Sequence, residues 1–160
     1  MPGWCKRTKI SVNGTKAESS TRKGYLILRR AWKAGDVIEL DFSMPIERMV
    51  AQTAVLTNRG QIALQRGPVV YCFEDADHQA SVFDLVLPDE VELTSRHVSE
   101  LGDVTIIEGE GIVSRPFASE EDFYRSKRDL ERHSLPLRAI PYFAWANRTP
   151  GAMTVWVPCA

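Results

Sequence analysis

The stretch "DVIELDF" (Asp36–Phe42) alternates without a break. Ile38, Leu40 and Phe42 lie on one side, and Val37, Glu39 and Asp41 on the other. A period of two belongs to a strand with one buried face, and an amphipathic helix cannot use it. The same period recurs along the first half of the chain. In "TKISVNGTK", Ile10 and Val12 oppose Lys9, Ser11 and Asn13, and Asn13-Gly14 supplies a tight turn. "ERMVAQTAV", "GQIALQRG" and "PVVYCFE" follow, and "KAGD" (Lys33–Asp36) is a further turn. "GYLILRRAW" is apolar on both faces over Tyr25–Leu28, which predicts a central strand. Gly, Pro and Asn turns separate these segments, with no helical period between them. The fold class is therefore all-β: an antiparallel, jelly-roll-like β-sandwich, not a βαβ protein. Ile38, Leu40, Phe42, Ile62, Leu64 and Val155 are the predicted core.

After Glu74 the character changes. "EDADHQAS" reads as a solvated polar loop, and "SVFDLVLP" and "DVTIIEGEGIV" as strands. "SEEDFYRSKRDLERHS" is dense in charge. Ser119 can cap a helix whose first turn holds Glu120, Glu121 and Asp122, and Glu121 and Arg125 are spaced for a helical pair. Residues 119–133 are thus expected to be a short helix or loop outside any sheet. The implied organisation is a main β-sandwich from 1–75 and 135–160, with 76–134 as a second, smaller β subdomain or insertion.

The 20 basic and 21 acidic residues are interspersed, for a net charge of -1. No basic stripe points to nucleic acid, and no apolar run approaches the ~20 residues of a membrane-spanning helix. Cys5, Cys72 and Cys159 are far apart and form neither a disulfide framework nor a zinc-ribbon spacing. They read as small buried hydrophobes. The cytoplasm is the expected location.

The residue types of catalysis are present without their arrangements. There is no nucleophile elbow, and no phosphate-cradling glycine loop follows a strand. His78, His97 and His133 all fall in polar settings and read as surface residues. Glu74, Asp75, Asp77 and His78 are close in sequence, but their spacing is not that of a calcium loop. Glu108 and Glu110, two apart, share one side of a strand, where mutual repulsion would raise one pKa as an acid catalyst requires. Paired acids are common on a wet sheet face, so no catalytic or metal-binding residue is assigned.

Three blocks, Pro2–Gly14 ("PGWCKRTKISVNG"), Gly60–Glu74 ("GQIALQRGPVVYCFE") and Leu135–Pro158 ("LPLRAIPYFAWANRTPGAMTVWVP"), carry a resemblance. Their order and spacing resemble the C-terminal region of the β-L-arabinofuranosidase family of glycoside hydrolases, family 127. Thr149 departs from the family's usual glycine. The resemblance implies a C-terminal portion of a longer enzyme whose catalytic barrel of paired helices precedes the β-domains. In the family a zinc-bound cysteine in that barrel is the nucleophile, and two of the zinc ligands are adjacent cysteines. This chain has no adjacent cysteines, so those roles have no positions here, and zinc is expected only in the barrel.

The implied role is non-catalytic: supporting the barrel, with a homodimer as a further expectation. The alternative is a carbohydrate-binding module. Tyr142, Trp145 and Trp156 would then form its aromatic platform, on what read as the last two strands, "AIPYFAW" and "AMTVWV". Packing in a core or between domains is the competing use of the same rings.

Overall fold

The computed structural model describes residues 1–115, 126 and 131–160. The chain forms two compact units, Met1–Pro45 and Ile46–Ala160. The division falls at Pro45, not at 75 and 135. The residues expected to form a separate subdomain pair directly with those around them.

In the first unit, β1 (Thr8–Val12) pairs with β2 (Thr15–Lys16) and β5 (Ile38–Phe42), while β3 (Ser20–Arg22) and β4 (Tyr25–Ile27) form a separate hairpin. Asn13 and Gly14 both have positive φ (53° and 73°), the geometry of the turn that suits a twisted two-residue hairpin. Asp36 fastens this hairpin to the following turn. One carboxylate oxygen accepts from Asn13 Nδ2 at 2.8 Å and the other from Lys33 N at 2.9 Å. These bonds, with Arg30 nearby, hold the Asp36 carboxyl below its usual range.

Two expectations fail in this unit. Tyr25–Ile27 is a short strand of a two-stranded hairpin with Tyr25 exposed, not a central strand. Ile10 and Val12 are buried as the alternation required, but Ile38 and Leu40 remain 47% and 46% exposed. They sit on an outer strand that no other strand covers, among the described residues.

The second unit contains β6 (Ile46–Val50), β7 (Gln61–Arg66), β8 (Val69–Glu74), β9 (Leu85–Val86), β10 (Thr94–Val98), β11 (Val104–Arg115), β12 (Glu131–Pro141), β13 (Met153–Thr154) and β14 (Val157–Pro158). β11 and β12 form a long antiparallel ladder from Ile107↔Ala139 to Arg115↔Glu131. β12 continues onto β8, and β8 onto β7. The β7–β8 hairpin is paired only near its turn. Beyond Gln65↔Val70 the strands part, and the segment from Met153 to Pro158 fills the opening, β13 on β8 and β14 on β7. β9 pairs with β11 and, through Leu87↔Cys159, reaches the end of β14. The sheet thereby closes on itself around Ile62, Leu64, Tyr71, Phe73, Leu85, Ile107, Leu137 and Val157. The Tyr71 hydroxyl, at the edge of this core, donates to the Thr105 carbonyl at 2.9 Å.

Successive residues of a strand face opposite ways. A second cluster therefore lies on the other face, with Cys72, Ile106, Ile140, Val98, Val104 and Ala144. Ile62 and Leu64 are buried as expected, and Val155 is partly buried against this second cluster. Gly109 is closely covered: a Cβ there would lie 2.7 Å from Leu93 Cδ2 and 3.2 Å from the Glu92 carbonyl, so Leu93 would have to shift to admit a side chain.

Three further readings are corrected. Thr94–Val98 is a strand that alternation did not reveal, because four of its five side chains are exposed. Glu131–His133 opens β12 and so belongs to the sheet; apart from Ser126, the rest of 119–130 lies outside the described residues. "AIPYFAW" and "AMTVWV" are not continuous strands. The first leaves the sheet at Pro141 for a 3₁₀ turn over Tyr142–Ala144, and the second is interrupted at Val155–Trp156.

Candidate functional site: an aromatic turn on a buried ion-pair cluster

The 3₁₀ turn brings residues three apart onto the same side. Tyr142 and Trp145 are stacked with ring centroids 6.1 Å apart and planes 20° from parallel. Both rings are partly open to solvent, at 46% and 41%, and Phe143 between them is 70% exposed. Trp156 is not part of this group. It lines an apolar groove of about 350 Å³ with Met49, Val50, Ala63, Val70 and Val155. The three rings predicted to make one platform are therefore a stacked pair and a separate groove residue.

Charge fixes the turn from beneath. Glu74 closes β8 on the Cys72 face and is 5% exposed. Its Oε1 accepts the backbone N–H of Ala146 at 3.0 Å, where Ala146 adopts φ +62°, a left-handed conformation uncommon for a residue with a side chain. Its Oε2 pairs with the Arg148 guanidinium. Arg148 also donates to Asp77 Oδ1 at 2.5 Å, and Arg138 lies 3.5 Å from the same oxygen. Arg138 reaches Glu100 at 3.1 Å as well. The hydrogen bonds to Asp77 and Glu74 hold the Arg148 pKa above its ordinary value, against the opposing effect of burial. Asn147 Nδ2 donates to the Ala144 carbonyl at 3.1 Å and ties off the loop.

"EDADH" is thus not a solvated loop. Asp75 accepts from Val82 N at 2.9 Å and from Ala152 N at 3.0 Å. His78 is half-buried, with Nδ1 2.8 Å from the Glu74 carbonyl and Nε2 3.3 Å from Arg138 N, in contrast to the exposed His97 and His133. Among the described residues, no three His, Cys, Asp or Glu side chains gather as a metal site would require. The sequence did contain a signal for this cluster. Glu74 directly follows a run of buried strand residues, and Arg138 and Arg148 lie in or beside apolar blocks, where lone charges need partners.

The other candidates are dispersed. Glu108 makes a two-point contact with Arg96, at 2.9 and 2.7 Å, which lowers its pKa; this is the opposite direction from an acid catalyst. Glu110, on the same strand, is exposed. Cys72 is fully buried, and burial followed by the nearby Glu74 and Asp77 carboxylates pushes its thiol up to about 12. A thiol so disposed is a packing group, not a nucleophile.

The two all-β units, the larger one a closed sheet bearing an ion-paired aromatic turn, are each matched by a family of known proteins. Residues 46–158 match the model for the glycoside hydrolase family 127 C-terminal domain, and residues 1–44 match that for the β-L-arabinofuranosidase GH127 middle domain. The chain belongs to glycoside hydrolase family 127. It is 31% identical, over 98% of its length, to a non-reducing end β-L-arabinofuranosidase of Bifidobacterium longum subsp. longum, of which it covers 25%. Among solved structures it is similar to a GH127 β-L-arabinofuranosidase from Geobacillus stearothermophilus, with 38% identity and a TM-score of 0.88 over all of this chain and 26% of that one. It is also similar to a GH127 β-arabinofuranosidase at 32% identity and a TM-score of 0.81, over 96% of this chain and 23% of that one. The chain therefore spans about a quarter of the length of the relatives it matches, and its unit boundary coincides with the boundary between the two family models.

Proposed function

We propose that these two β-units are the non-catalytic C-terminal portion of a β-L-arabinofuranosidase-type glycoside hydrolase and support its catalytic domain. One observation carries this reading. The chain aligns along nearly its whole length with a quarter of such an enzyme, and its most elaborate polar cluster is spent on holding polypeptide. The catalytic barrel is the natural partner, and zinc is needed only there. The test is hydrolysis of an aryl β-L-arabinofuranoside, with elemental analysis, by this chain alone and joined to a preceding barrel. Turnover with stoichiometric zinc is expected only in the joined protein. The same result in the chain alone overturns the proposal.

A homodimer is part of the same proposal, through the apolar groove at Met49, Val70 and Trp156. Sedimentation as a monomer at every concentration removes it. The stacked, exposed Tyr142–Trp145 pair favours a second reading, in which the aromatic turn binds sugar rings directly. Calorimetric titration with arabinose oligosaccharides distinguishes the two, since binding lost in Trp145→Ala supports the sugar site.

A further inference from the structure

Asn13 is followed by glycine, whereas Asn58 and Asn147 both precede arginine. Before glycine an asparagine side chain is open to attack by its own backbone, because the next nitrogen carries no neighbouring side chain to crowd the approach. The surroundings add no shield. Asn13 is exposed, and a Cβ at Gly14 would meet nothing within 4 Å.

The Asn13 side chain is nevertheless fully engaged. Its Nδ2 donates to Asp36 Oδ1 at 2.8 Å, and its Oδ1 accepts from Val37 N at 2.9 Å. The Asn13 backbone N–H donates to the Val37 carbonyl, also at 2.9 Å. One side-chain atom faces an acceptor and the other a donor, so an amide satisfies both partners and a carboxylate satisfies only one. Asp36 in turn accepts from Lys33 N at 2.9 Å and has Arg30 3.8 Å away. Attack on Asn13 Cγ requires the amide to leave Asp36 and Val37 and swing over the Gly14 nitrogen.

We propose that Asn13 is a deamidation site held closed by Asp36 and Val37, and that its conversion unfastens the β1–β2 hairpin from the turn before β5. The Gly14 nitrogen bonds to Asn13 Cγ, the Cγ–Nδ2 bond breaks, and the Gly14 proton leaves with Nδ2 as ammonia. Water then opens the cyclic imide at either carbonyl, giving aspartate or isoaspartate, with nothing oxidised or reduced. The product carboxylate has no proton to offer Asp36 Oδ1, and two carboxylates at that distance repel. In the isoaspartate product the backbone also gains a carbon inside the turn that sets the Val12↔Thr15 register.

This inference is independent of the hydrolase reading. The test is incubation of this chain at mildly alkaline pH, with peptide mapping by mass to follow amide-to-acid conversion at Asn13, Asn58 and Asn147. A synthetic peptide spanning Ser11–Lys16 is the unfolded reference. Asn13 is expected to convert roughly tenfold or more slowly in the folded chain than in the peptide, since two hydrogen bonds must first open. Asp36→Ala should raise the folded rate several-fold and leave Asn58 and Asn147 unchanged, with the buried Ile10 and Val12 amides still protected from exchange. If that protection is lost, Asp36→Asn decides, because it keeps the shape and one acceptor: a rate between those of the native chain and the peptide supports the clamp. Asn13→Asp, which makes the product directly, should speed exchange of the Lys33 amide roughly tenfold as Asp36 is pushed away. Equal rates in chain and peptide, no conversion at Asn13, a native rate in the deciding Asp36 variant, or unchanged Lys33 exchange overturns the proposal.

Discussion

Glu74 and Arg148 meet as a buried ion pair, and the same Glu74 carboxylate holds the Ala146 amide at 3.0 Å. One side chain at the end of a core strand thus sets both the charge and the backbone of the aromatic turn. Removing one partner of a buried pair leaves an uncompensated charge, which costs more than the pair itself contributes. Arg148→Ala should destabilise the C-terminal unit by about 3–5 kcal/mol, since Glu74 and Asp77 would then face each other with only Arg138 nearby. Urea melts measure this, and a loss under ~1 kcal/mol would place the cluster in the class of weak surface pairs.

The two leucines of the predicted core now separate. Leu64 is fully buried, and Leu64→Ala should cost about 2–5 kcal/mol through the cavity left behind. Leu40→Ala should cost about 1 kcal/mol or less, because a half-exposed edge residue leaves no cavity. Parallel denaturant melts check the ordering, and an equal loss in both would mean that Leu40 is covered in solution.

Cysteine chemistry should divide the three thiols. At pH 8, a thiol reagent should modify the partly exposed Cys5 and Cys159 quickly and reach Cys72 only on unfolding. The raised Cys72 pKa also has a linkage sign. The folded state keeps the thiol proton that the unfolded state releases above ~8.5, so stability present below that pH falls as pH rises from there toward about 12. Melts at pH 8 and 10, with Cys72→Ala as the control, isolate this contribution. Modification of Cys72 at the rate of the other two would contradict its burial.

Glu108 works in the opposite direction. Its depressed pKa contributes stability that is present above the unfolded carboxylate value of ~4.3 and lost as pH falls through the lower folded value. Both partners are substantially exposed, so Glu108→Gln should cost only about 0.2–1 kcal/mol at pH 7 and nothing in strong acid. An unchanged cost at pH 2 would indicate packing instead of charge.

Much of the sheet was legible in advance because a strand with one wet face writes a period of two. β1 and β5 announce themselves in this way, β7 and β8 instead as apolar runs bounded by Gly and Pro turns, and Asn13-Gly14 marks its hairpin. What alternation does not encode is which edge of a strand is covered. Ile38 and Leu40 have the pattern of a buried face and the position of an outer strand. The turn at Tyr142–Ala144 was hidden for another reason: aromatic residues suit strands by propensity, and the bonds from Glu74 that bend the chain come from far away in sequence. The ion-pair cluster was legible only in part: Glu74, Arg138 and Arg148 sit in or beside apolar runs where lone charges need partners, but which arginine meets which acid is set by contacts far apart in sequence.

The splayed hairpin has a consequence for biosynthesis. β7 and β8 are joined early, but the segment that fills their opening, Met153–Pro158, emerges from the ribosome only after β9 to β12 have been made. Until then the nascent unit carries a half-zipped hairpin with unpaired backbone on its inner edges, and its core lacks Val157. Closure must wait for a contact between distant parts of the chain, the slow kind of step in folding. During that interval the open hairpin is the part of the molecule most exposed to pairing with a neighbouring nascent chain. The sheet of this unit can close only once the last residues of β14 are made.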